Sequence, residues 1–127
     1  MNNVNLTGRL TRDVELRINP SGSRVVNFTI AVDDYFKEDR KTYFIRVVAW
    51  NNDADFLNKY AHKGDKVAVD GRLTQRTYEY NGENREAVEV VANHIELMTP
   101  PAKVEPKPEK VIEARPFVPE VDDDLPF

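Results

Sequence analysis

Apolar residues recur at every second position along most of the first 97 residues. Val4, Leu6 and Leu10 keep that spacing through Gly8, and Val14, Leu16 and Ile18 resume it. Val26, Phe28, Ile30 and Val32 make the cleanest alternation of the chain, and TYFIRVVAW (residues 42–50) follows, rich in β-branched and aromatic residues. Val67, Val69, Gly71 and Leu73 alternate again, and Val88 and Val90, then Ile95 and Leu97, continue the series. A period of two turns one face of each segment inward and predicts half-buried strands. Between them, Asn19-Pro20-Ser21-Gly22 predicts a turn, residues 33–41 a polar loop, and Asn81-Gly82 a two-residue hairpin. One segment breaks the period. Within residues 53–64, Phe56 and Tyr60 stand four apart, with Asp53 placed as N-cap and Gly64 as C-cap, which predicts a short helix. The order is three strands, a helix, and two long strands joined by a hairpin.

Five or so antiparallel strands in about 100 residues must hide their edges. Closure into a small barrel is the usual solution, and the five-stranded OB-fold is one such barrel. An open sandwich also satisfies the pattern.

The composition changes near residue 99. All five glycines lie before it and seven of the eight prolines after it. The stretch PPAKVEPKPEK (residues 100–110) mixes proline with alternating charge and offers few large apolar groups. Such a segment cannot offset the entropy lost on folding and reads as an extended, semi-stiff linker. Charge follows the same division. Residues 100–127 carry four basic and seven acidic groups, and residues 1–99 carry fourteen and fifteen. The acidity of the chain therefore belongs mainly to its tail, and a near-neutral body can still bind a polyanion if its cations gather on one face. With no cysteine, disulfides, thiolate metal sites and thiol nucleophiles are excluded. No run approaches the roughly 20 apolar residues that span a bilayer, and the first residues do not resemble a secretory signal, so a cytoplasmic protein is expected.

Several aromatic residues sit awkwardly for a pure core. If Ile45, Val47 and Ala49 point inward, then Phe44, Arg46, Val48 and Trp50 share the outer face. Phe36 and Tyr35 lie in the polar loop beside Lys37, Arg40 and Lys41, and Tyr78 and Tyr80 flank the second hairpin near Arg72, Arg76 and Arg85. Rings interleaved with cations suit single-stranded nucleic acid, because exposed bases stack on the rings while the cations follow the phosphates. The bland alternative is that Phe44 and Trp50 close one end of the core and the tyrosines brace the hairpin.

These segments together resemble the bacterial-type single-stranded DNA-binding proteins, the SSB family. VNLTGRLTRDVELR (residues 4–17) resembles the family's first strand and its continuation, and VVNFTIAV (residues 25–32) its second. Residues 43–73, YFIRVVAWNNDADFLNKYAHKGDKVAVDGRL, resemble the third strand, helix and fourth strand, and the terminal DDDLPF resembles the family's acidic tip. The resemblance implies an all-β chain: a five-stranded OB-fold barrel with one short helix, plus a disordered C-terminal tail. It divides the chain into an OB-fold domain over residues 1–99, a Pro-rich linker over 100–119 and a partner-docking tip over 120–127. It implies sequence-independent binding of single-stranded DNA in replication, recombination and repair, by a homotetramer in the cytoplasm at the nucleoid. Matched motif by motif, its base-stacking rings fall on Phe36, Phe44, Trp50 and Tyr78, with Arg46, Arg72 and Arg76 expected along the phosphates. Asp122, Asp123, Asp124, Leu125, Pro126 and Phe127 would dock other proteins of DNA metabolism. Val14 stands where the family commonly has proline, and Ile45 lies in a segment it uses at subunit contacts. The short linker leaves a phage, plasmid or accessory paralogue open.

Two other functional classes fit the sequence less well. An enzyme would need a preorganised site, yet Asp33 and Asp34 are adjacent on an extended segment and point to opposite faces, and Asp122, Asp123 and Asp124 lie in the tail. His62 and His94 are isolated in sequence, there is no phosphate-cradling glycine loop, and no metal or cofactor is called for. An OB-fold module that binds RNA or protein would fit the body equally well, but it leaves DDDLPF without a role.

Overall fold

The computed structural model describes residues 1–98 and 111–112. Strand β1 (Val4–Leu10) leads through a bend to β2 (Leu16–Ile18), then to a long ribbon of β3 (Arg24–Phe36) and β4 (Asp39–Trp50). Helix α1 (Asn52–Tyr60) connects this ribbon to a second one, β5 (Lys66–Tyr80) and β6 (Glu83–Leu97), and β7 (Val111–Ile112) lies apart in sequence. The expected linker and the DDDLPF tip otherwise fall outside the described residues.

Five strands close on themselves. β1 pairs antiparallel with β5 along Val4 to Arg9, β5 with β6, and β4 with β3, while β4 and β6 meet in parallel at Val47–Val90 and Val48–Val91. The last two residues of β1 pair with β3 at Arg9–Ala31 and Leu10–Ile30, and that contact completes the barrel. Closure removes most of the strand edges an open sandwich would leave. The barrel is filled by Val26, Phe28 and Ile30 from β3, Val47 and Ala49 from β4, Val67 and Val69 from β5, and Val90 and Ile95 from β6. Ala54 and Leu57 of α1 plug one end. Both ribbons outrun the barrel, with pairing continuing to Phe36–Asp39 and to Tyr80–Glu83.

Several expectations needed correction. Residues 33–41 are strand almost throughout, because cross-strand contacts replace apolar alternation there. Thr42 donates to Asp33 Oδ1 at 2.8 Å, Arg40 lies 3.4 Å from the same oxygen, and Lys37 turns the chain at φ 57°. The N-cap position is held by Asn51 and not by Asp53. At φ 53° Asn51 swings the chain out of β4, and its own amide groups pair with the backbone of Arg24, so its side chain does not cap the helix. The helix ends at Ala61, and Gly64 (φ 89°) belongs to the following turn, where its N–H donates to the Leu10 carbonyl at 2.9 Å. Asp55, in the first turn of α1, holds Arg24 Nε at 2.7 Å, and this hydrogen bond raises the guanidinium pKa above its ordinary value. On β6, Val88 is exposed and Glu89 is buried, the reverse of what alternation through Val90 suggests.

Candidate nucleic-acid interface

The β3–β4 ribbon assigns faces through its register. Antiparallel partners lie on the same side of a ribbon, so Phe44 (opposite Ala31), Arg46 (opposite Thr29) and Trp50 (opposite Val25) share one face. Phe36, opposite Asp39, lies on the other face, in line with Tyr43 and Ile45. Three of the four predicted stacking rings are thus brought onto one ribbon but divided between its two sides. β4 spans roughly 36 Å at 3.3 Å per residue, so an extended strand laid along this face would pass Phe44 and Trp50 in turn. Phe36 is 70% exposed at the ribbon tip with Lys37 Nζ 5.7 Å from its ring, and Trp50 is 36% exposed at the opposite end.

The β5–β6 ribbon carries the second cluster. Its register places Arg72, Arg76, Tyr78 and Tyr80 of β5 on the same face as Arg85 and Glu89 of β6. Where this ribbon leans over β4, a groove of about 400 Å³ opens, lined by Phe44, Arg46, Leu73, Tyr78, Val88 and Glu89 among others. Phe44, Arg46 and Tyr78 therefore meet in one place, while Trp50 and Phe36 flank it along the first ribbon and Arg72 lies outside it.

The three predicted arginines differ in their surroundings. Arg46 is half-buried and makes no ion pair among the described residues. Arg72 is exposed and donates to Asn93 Oδ1 at 3.2 Å. Arg76 lies 2.7 Å from the buried carboxylate of Glu89, which answers a charge that the barrel would otherwise hold without a counterion. Arg76 thus has structural work inside the groove wall.

Sequence reasoning named Tyr80 and Arg85 among the rings and cations but missed Tyr43. Tyr43 is exposed with Lys41 Nζ 5.2 Å from its ring, and Arg85 lies 5.2 Å from the ring of Tyr80. Both repeat the ring-plus-cation arrangement at Phe36, a geometry that attracts a cation to an aromatic face. The signal for Tyr43 was its place at the start of the aromatic-rich strand segment, directly after the basic residues Arg40 and Lys41. Leu73 and Val88 lend the groove apolar wall although they alternate with core residues. The histidines each meet a single carboxylate, His62 with Asp65 at 3.5 Å and His94 with Glu96 at 3.2 Å. Among the described residues no group of acids and histidines forms a metal-ligating set, and no helix is long and apolar enough to cross a membrane.

Comparison with known proteins gives a consistent picture. Residues 1–98 match the family model described as the single-strand binding protein family. A single-stranded DNA-binding protein of Streptococcus pneumoniae is 41% identical over 102 residues, covering 77% of this chain and 65% of the relative. Single-stranded DNA-binding protein 1 of Staphylococcus aureus is 41% identical over 104 residues, covering 79% of this chain and 67% of the relative. The chain thus aligns with about two thirds of the length of these relatives. Among solved structures, a Plasmodium falciparum SSB complex with ssDNA superposes with a TM-score of 0.68 at 27% identity, covering 76% of this chain and 92% of that one.

Proposed function

The chain belongs to the single-strand binding protein family, and on that premise we propose that it coats single-stranded DNA without sequence preference. The observation that carries this reading is the row of rings and cations along the β3–β4 ribbon, meeting Tyr78 in the groove beneath the second ribbon. Bases stack on Phe36, Phe44, Trp50 and Tyr78, and stacking accepts any base because every base has a π-face. Arg46 and Arg72 run with the phosphates, while Arg76 acts from the groove wall, where Glu89 holds it. Chemistry on the strand is no part of this role. The protein shields bases during replication, recombination and repair.

Two further parts of the reading rest on family membership. The body works as a homotetramer in the cytoplasm at the nucleoid, and Asp122 to Phe127 recruit other proteins of DNA metabolism. The domain division at residues 99 and 119 follows from the same reading. The deciding experiment compares affinities for single-stranded DNA, duplex DNA and structured RNA at one salt concentration. Strong preference for single-stranded DNA of any sequence is expected. Equal or tighter binding to structured RNA would overturn the proposal in favour of an RNA-binding OB-fold.

A further inference from the structure

β2 has three residues and pairs with β3 along one edge, at Arg17–Val25 and Ile18–Arg24. Along its other edge lies β7, parallel, with Leu16 opposite Val111 and Arg17 opposite Ile112. The sequence accounts for why this pair of residues makes a ladder. Proline has no N–H to donate and is poorly tolerated in strand pairing. Between residues 99 and 127 the longest proline-free run is EKVIEAR (residues 109–115), and Val111-Ile112 is the only adjacent pair of β-branched residues in it or anywhere else in the tail. β-branched side chains suit the extended backbone of a strand. The ladder and the one window able to make it coincide.

We propose that the outer edge of β2 is a strand-addition site, and that the chain's own Val111–Ile112 is its occupant and forms a releasable latch. An unpaired edge offers N–H and C=O groups to any extended peptide. The tether favours the chain's own segment. The twelve residues 99–110 reach roughly 37 Å when extended at 3.1 Å per residue, enough to cross a barrel of this size, and they keep the local concentration of the segment high. A ladder of two residues holds weakly, so the latch opens and recloses. Closed, it leaves fifteen residues beyond Ile112, with a reach of roughly 45 Å; open, the 29 residues after Met98 reach roughly 90 Å. The latch would thereby set how far DDDLPF extends from the barrel. That consequence rests on the docking role proposed above, whereas the latch does not.

The absence of native cysteine makes a direct test available. In the full-length protein carrying Arg17→Cys and Ile112→Cys, mild oxidation should close an intramolecular disulfide. Closure should be on the order of tenfold faster than in a control carrying Asn84→Cys, at the far end of the second ribbon, with Ile112→Cys. Equal rates, or crosslinks mainly between two copies, would overturn the proposal. A second variant, Ile112→Pro, leaves the barrel sequence intact. Amide exchange in β2 should speed up on the order of three- to tenfold, the worth of one weak hydrogen bond, with Tm unchanged. Exchange identical to the parent would equally overturn the latch. Neither readout involves DNA or a partner, so failure here leaves the docking reading untouched.

Discussion

Arg76 stands 2.7 Å from a carboxylate that water barely reaches, whereas Arg46 makes no ion pair among the described residues. Removing one member of a buried pair strands the other charge, which in well-buried cases costs about 3–5 kcal/mol. Arg76 is itself 29% exposed, so Arg76→Ala should lower stability by the smaller figure, about 3 kcal/mol. Replacing Arg76 and Glu89 together by leucine should recover most of that loss in a denaturant titration. Arg46→Ala should leave the denaturation midpoint in place and flatten the salt dependence of DNA binding by about 0.7 in log–log slope, one phosphate contact on a single strand. A variant of Arg46 that unfolds early but binds with the parent slope would reverse these roles. For the rings, Phe44→Ala and Trp50→Ala should each weaken binding by about 1–3 kcal/mol. They lie six residues apart on one strand, roughly 20 Å, so their effects should add. Phe36 faces the other way. A comparable loss in Phe36→Ala indicates a strand that wraps the ribbon tip, the outcome expected from the family reading. Unchanged affinity would confine the strand to one face. Quenching of the single Trp50 provides the titration signal.

At the scale of elements, the sequence was most legible where period and turn chemistry agreed. Val26, Phe28 and Ile30 alternate and are buried in β3, and Asn81-Gly82 turn the second hairpin at φ 52° and 78°. Phe56 and Tyr60 meet as a tilted pair on α1 with ring centroids 5.5 Å apart, as their spacing implied. Legibility failed where something other than burial held the backbone. The extension of β3 and β4 past the barrel is held by polar cross-strand contacts such as Thr42–Asp33, and these leave no apolar period to read. On β6 the phase changes. Asp70 pairs with His94 and Gly71 with Ala92, so Asn93 is an extra residue, a bulge that lets both Val90 and Ile95 face inward although they are five apart. Beyond it the ribbon leaves the barrel, which exposes Val88 and buries Glu89 against Arg76. The groove was only partly legible for the same reason: Tyr78, Phe44 and Arg46 could be read as surface residues, but their meeting depends on how the two ribbons lean together. Gly71 sits at the bulge, and a Cβ there would run into the carbonyl oxygen of Val91. Gly71→Ala should therefore destabilise by about 1–3 kcal/mol as the ribbon shifts to make room. Thermal denaturation checks this, and an unchanged Tm would mean that the bulge relaxes freely.

For the whole molecule, an edge and an end invite partners. Among the described residues β1 pairs only with β5 apart from Arg9 and Leu10, and the proposed homotetramer would cover the rest of its other edge with a second copy. Light scattering at micromolar concentration should give about four times the 14.6 kDa of one chain, and a monomer would refute the homotetramer. The terminal DDDLPF has a different logic. Leu125, Pro126 and Phe127 offer an apolar anchor, with Pro126 limiting the conformations lost on binding. Asp122, Asp123 and Asp124 suit a basic rim that speeds encounter and makes the contact sensitive to salt. A tail kept only for solubility would have no use for a terminal ring. On the proposed docking reading, the same acidic tip would compete mildly with the strand for the cationic groups of the barrel when no partner is present. Deleting Phe127 alone should therefore abolish capture of replication and repair proteins, while affinity for single-stranded DNA stays level or rises slightly. Partners retained by the truncated protein, or DNA binding lost from it, would remove the docking role and leave the tip as a charged end.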